Sequence, residues 1–142
     1  FQRVRRNEDT AYPIPTAMEV TPEGVKLSFA VELDEELATD PTSFTLERWK
    51  YIRSEQYGSG QFSVDNPDLE AEKAAVEKES KKVRVHDKVK VLSARLLKDG
   101  KSVLIEIDGH KPTQQLKIDY DLESTDGDEL IGTIHSTIHK VQ

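Results

Sequence analysis

Apolar residues fall at every second position along several stretches of this chain. Val25, Leu27, Phe29, Val31 and Leu33 alternate with Lys26, Ser28 and Glu32. Leu116, Ile118, Tyr120 and Leu122 repeat the pattern around Lys117, Asp119 and Asp121, and Val103, Ile105 and Ile107 repeat it around Leu104 and Glu106. Strand side chains point alternately to opposite faces, so each stretch has one buried and one wet face. Antiparallel sheets read this way, whereas parallel sheets covered on both faces give unbroken apolar runs.

Turn chemistry separates the alternating stretches. Asp99-Gly100 stands between 91–97 and 102–107 and is a strong hairpin signal. Pro22-Glu23-Gly24 precedes the Val25 stretch, Asp126-Gly127-Asp128 follows the Tyr120 stretch, and Asp108 to Pro112 forms a longer crossing loop. The pattern predicts about seven strands: near Val4, then at 14–20, 25–33, 43–52, 88–97, 102–107 and 115–122, with 131–139 closing as an eighth. Leu27, Phe29, Val31, Ile118 and Tyr120 are expected in one core between two antiparallel sheets. The fold class expected is therefore all-β, an Ig-like antiparallel sandwich formed by residues 1–142 as a single domain.

Two segments depart from the alternation. Residues 66–82 read NPDLEAEKAAVEKESKK, with Asn66 suited to cap a helix and Pro67 to its first position. Leu69, Lys73 and Val76 share one helical face, and Glu77/Lys81 is a favourable i,i+4 pair. The apolar stripe is thin, so the segment is expected as a helical or partly disordered charged insertion. Asp34, Glu35, Glu36 and Asp40 follow a strand and are expected to open a short turn of helix, where acids favour the N-terminus.

Composition narrows the function classes. The chain has 142 residues, ample for one core, with 20 basic and 27 acidic side chains and a formal charge of -7. That balance argues against nucleic-acid and anionic-membrane partners, which need clustered Lys and Arg. The one basic cluster, Arg3, Arg5 and Arg6, runs straight into Glu8 and Asp9 and is expected on an edge strand. There are no cysteines, which removes disulfides, thiolate metal sites and cysteine nucleophiles. No apolar run approaches the roughly 18–20 residues that span a bilayer. The chain opens on Phe1 instead of Met, which reads as a processed chain or a piece of a longer one.

Candidate chemistry is sparse. Trp49, Tyr51 and Tyr57 cluster with Arg48, Arg53 and the Gly58-Ser59-Gly60 stretch. Aromatics beside a Gly-rich loop can form a platform for a sugar or a protein, with Trp49, Tyr51, Arg53 and Tyr57 as the binding residues. A sandwich also needs one large aromatic in its core, and that is the expected place of Trp49, with the platform as the other reading. Asp126, Asp128 and Glu129 crowd three carboxylates into one turn, a candidate calcium loop without the ligand repeat of an EF-hand. His135 and His139 lie four residues apart, but on a strand that separates them by about 13 Å, too far to share one ion. No Ser/His/Asp set and no phosphate-binding glycine loop is present, so neither catalysis nor a cofactor is expected.

The string GVKLSFAVELDEELATDPTSFTLERW, at 24–49, resembles the opening of bacterial Ig-like domains of the surface-layer type. The matching residues are Leu33-Asp34 in the acidic turn and Asp40-Pro41-Thr42-Ser43-Phe44 at the entry to the next strand. VLSARLLKDGKSVLIEI and QLKIDYDLESTDGDEL are similar to that family's hairpin and late strands. More narrowly, Phe1 to Arg5, Trp49-Lys50-Tyr51, 54–59 and Thr137-Ile138-His139-Lys140 resemble a C-terminal domain of large exported bacterial proteins. Those proteins carry a sorbosone/glucose-dehydrogenase-like β-propeller and a c-type cytochrome domain. The chain departs from them in its charged insertion and in Gly60, where a proline is common. It has no haem-attachment motif, so neither haem nor dehydrogenase activity carries over. The resemblance implies a periplasmic or cell-surface accessory domain that contacts neighbouring domains of the same polypeptide or a protein partner. A carbohydrate-binding module, holding a polysaccharide on its aromatic edge, is the alternative.

Overall fold

The computed structural model describes residues 13–51, 60–66 and 84–141. In chain order these form β1 (Ala17–Val20), β2 (Gly24–Ser28), α1 (Glu35–Ala38), a 3₁₀ turn (Pro41–Ser43) and β3 (Phe44–Trp49). There follow β4 (Asp87–Val89), β5 (Val91–Leu96), β6 (Ser102–Ile107), β7 (Thr113–Glu123) and β8 (Glu129–Ile138). They make two four-stranded sheets, ordered β1-β2-β6-β5 and β4-β3-β7-β8, with antiparallel pairing throughout. In immunoglobulin lettering this is A-B-E-D against C-F-G, with an added C′ at the edge. The protein is an all-β sandwich, with eight strands among the described residues.

The alternating residues meet between the sheets. Leu27 and Ile105 of the first sheet and Leu46, Ile118 and Leu130 of the second are all almost fully buried. Phe29 packs edge-on against Tyr120 with ring centroids 5.6 Å apart. Two glycines stand where no side chain would fit. A Cβ at Gly24 would strike the Ile105 carbonyl, and one at Gly132 would strike the ring of Tyr120, its direct partner across β7 and β8. Tyr120 uses the gap to donate from Oη to the Pro13 carbonyl, tying the chain ahead of β1 to β7.

Capping explains the acidic run after β2. The Asp34 carboxylate accepts from Leu37 N at 3.1 Å and starts α1; Asp40 accepts from Thr42 N at 2.9 Å and starts the 3₁₀ turn, with Pro41 next. At the β5–β6 hairpin, Asp99 accepts from Lys101 N and Ser102 N, and Gly100 takes φ +68°. These connections share one end of the sandwich, the upper end, where Leu33 N donates to Gly100 O and Asp34 N to Glu123 O. The β1–β2 turn, the described parts of the β3–β4 connection (50–51, 60–66 and 84–86) and the β6–β7 turn gather at the lower end. There Ile107 N donates to Glu23 O and Asp108 N to Lys90 O.

Several expectations need correction. The 88–97 stretch is two strands, because the chain leaves the second sheet after Val89 and joins the first at Val91. A bulge between Val91 and Ser93 then turns Leu92 to solvent, 46% exposed. As a strand the 25–33 stretch ends at Ser28, since the chain next turns toward α1 and returns to pair at the isolated Leu33–Ser124 bridge; Val31, between the two, is half-buried at the rim of the core. The strand expected near Val4 and all of the insertion expected at 66–82 except Asn66 lie outside the described residues.

Candidate functional site

β3 places two kinds of side chain at the lower end. Phe44, Leu46 and Arg48 face the other sheet, while Thr45, Glu47 and Trp49 face outward. Trp49 is nonetheless only 4% exposed, because other side chains cover it. The His86 ring stacks on the indole at 3.9 Å with 9° between planes, and His135 of β8 approaches its edge at 6.2 Å. Glu47 holds His86 Nδ1 at 3.0 Å, and Gln61 holds Nε2. The indole Nε1 donates to Tyr51 Oη at 3.3 Å, and Tyr51 N donates to the Gln114 side chain. Tyr51 itself is 42% exposed. Trp49 thus belongs to a small outer cluster and not to the inter-sheet core.

The cover consists of the two roots of the β3–β4 connection, residues 60–66 and 84–86. Lys50 and Phe62 exchange two backbone hydrogen bonds of 2.8 Å, which buries Phe62, and Val85 N donates to Gln61 O. Asp87, the first residue of β4, fastens one root to the other. Its carboxylate accepts from Ser63 Oγ at 2.6 Å, Val64 N at 2.6 Å and Asp65 N at 2.9 Å. A carboxylate taking three donors in this way fixes a loop as a cap fixes a helix end.

Arg48 closes the lower end from inside. Its side chain is 9% exposed; Nη1 donates to Gly109 O at 2.8 Å and Nη2 to Asp65 Oδ1 at 2.6 Å. Lys111 Nζ reaches the same oxygen at 2.6 Å. Burial pushes the Asp65 carboxyl up, but hydrogen bonds from Lys111 and Arg48, with their charges, outweigh it and hold it below the ordinary value. Gly109 has φ +59°, a conformation that turns its carbonyl to Arg48 at little cost to a glycine. Next to it, burial pushes the His110 imidazole down; a hydrogen bond with the Thr21 backbone opposes this, and the Arg48 charge adds to the lowering. Arg48 Nε and His110 Nε2 are buried without a hydrogen-bond partner.

Beside Tyr51 an open groove of about 350 Å³ is lined by Pro112, Thr113, Gln114, Thr137, Ile138 and His139. A bulge in β7 between Thr113 and Leu116 forms its floor, and Thr137 Oγ1 donates to Gln114 O. A second groove of about 340 Å³ lies higher on the same sheet, between Thr45, Asp119, Ile131 and Thr133.

Of the residues singled out from the sequence, Trp49 and Tyr51 meet here; Arg53 and Tyr57 lie outside the described residues. Asp126, Asp128 and Glu129 sit exposed in the β7–β8 turn, which Gly127 at φ +85° and bonds to Ser124 already account for. Among the described residues no group of three His, Cys, Asp or Glu side chains is placed to hold a metal ion. His135 and His139 are exposed. Sequence reasoning missed Asp65, Asp87, His86 and Lys111 as members of the cluster. Compared with protein-family models, curated proteins and solved structures, the chain gives no match in any of the three.

Proposed function

We propose that this domain is a non-catalytic docking module of a larger exported protein, and that its lower end contacts a neighbouring domain of that polypeptide or a protein partner. The observation that carries the reading is the cover over Trp49. An indole that is 4% exposed, with one face taken by His86, is an internal support. What the cluster offers outward is Tyr51, a half-exposed aromatic fixed at its backbone and hydroxyl, beside an open groove. Rigid aromatics of this kind lose little entropy on contact and anchor protein interfaces. The carboxylates of Glu47, Asp65 and Asp87 bind the two roots, the arrangement of a support and not of a proton-transfer pair. The periplasmic or cell-surface location follows from the resemblance. Sugar stacking would require an open indole face, so the buried Trp49 weighs against the carbohydrate reading.

A photo-crosslinking residue placed at His139, exposed in the groove beside Tyr51, and as a control at Leu92 on the opposite sheet, tests this in the source cells. Adducts are expected from position 139 on one protein surface, with none from position 92. Adducts to glycan, or equal labelling from both positions, would overturn it.

A further inference from the structure

The β6–β7 turn and Arg48 together bolt the lower end shut. Gly109 O takes Arg48 Nη1, Lys111 takes Asp65, and Asp65 takes Arg48 Nη2, so one ring of contacts joins β3, the β6–β7 turn and the first root of the β3–β4 connection. His110 stands inside this ring, between the two residues of the turn that make the contacts. We propose that this ring is an acid-sensitive latch: protonating His110 opens it and frees the first root, residues 60–66, from the body of the sandwich.

The geometry gives the reason. With its other nitrogen toward the Thr21 backbone, a neutral His110 leaves a bare, buried Nε2 that lacks any partner. A proton there becomes a donor with nothing to accept it, which costs the desolvation of a buried polar group. It also adds a third cation beside Arg48 and Lys111, whose ion-pair partner is Asp65. The other charged groups on the surrounding elements are Asp87 of β4, which lies opposite Arg48 and whose carboxylate accepts from Ser63, Val64 and Asp65, with Asp108 in the turn, Glu23 in the β1–β2 turn and Lys90 at the sheet crossing. Glu23 is already paired with Arg95 at 3.2 Å. Moving the turn away from Arg48 relieves both penalties at once and removes Lys111 from Asp65.

Burial lowers the affinity of His110 for its proton, which fixes the sign. The closed latch keeps His110 neutral, so its stability is present above the ordinary value of 6.5 and falls as pH drops from there toward the lowered value. Asp65 is held below its ordinary 3.8, so its own loss begins only in stronger acid. The two steps are separate.

Amide hydrogen exchange on the 142-residue chain reads the latch directly. Corrected for intrinsic rates, exchange at Asp65, Lys111 and Val85 should accelerate by up to about tenfold one pH unit below the ordinary histidine value, while Ile118 and Ile105 stay unchanged. His110→Gln, which cannot titrate, should remove that acceleration. NMR titration of the histidine ring protons in the unaltered chain gives a second reading that needs no variant. There His110 should titrate below the ordinary histidine value. Titration of His110 at or above the ordinary value would overturn the latch, as would acceleration that persists in His110→Gln or extends equally to the core amides.

Discussion

Ile118 and Arg48 face the same space between the sheets, from neighbouring strands two residues apart in register. Around Ile118 the neighbours are Leu46, Ile134 and other aliphatic side chains, and contact is non-directional. Around Arg48 the polar contacts are hydrogen bonds with named partners, Gly109 O and Asp65 Oδ1, which come from two separate parts of the chain. The middle of the sandwich therefore tolerates a change of shape in proportion to the volume lost. The lower end responds to the loss of one atom pair, because removing a partner leaves a buried charge behind.

Substitutions should separate the two regions in urea unfolding. Ile118→Ala, at a site with no exposure, should cost about 4 kcal/mol at every pH. Trp49→Ala should cost about 3 kcal/mol, near the lower limit for a large aromatic, since its cover is a polar segment able to collapse onto the gap. Asp65→Asn should cost about 2 kcal/mol at neutral pH by weakening the bonds to Arg48 and Lys111. Its effect should vanish in acid: a carboxyl held below its ordinary value stabilises above that value and stops doing so once pH falls through the lowered one. Tyr51→Ala should change stability by less than about 1 kcal/mol while removing the crosslinked partner, because the phenol is half in water. A core-like penalty at Tyr51, or a pH-independent one at Asp65, would erase the distinction between the regions.

The sequence made the first region readable and left most of the second hidden. Alternation located β2, β6 and β7 because a half-buried strand must repeat every two residues. The crossing at Lys90 was invisible, since Val89 and Val91 continue the alternation while the chain changes sheets. Trp49 was half-legible. Phe44 and Leu46 set the inward parity and Thr45 and Glu47 the outward one, so counting on places Trp49 on the outer face. Nothing local shows that His86, 37 positions away, will cover it. The same holds for Asp87 with Ser63 and for Arg48 with Gly109: polar partners across long separations leave no periodic signal.

Trp49 is the sole tryptophan, so its fluorescence reports on the lower end alone. Acrylamide quenching of the native chain tests whether this indole is a covered support or an open platform. The account predicts a blue-shifted emission, strongly protected from quencher and unchanged by soluble oligosaccharides. A red-shifted emission quenched as freely as in the unfolded chain, and shifted by added sugar, would contradict it.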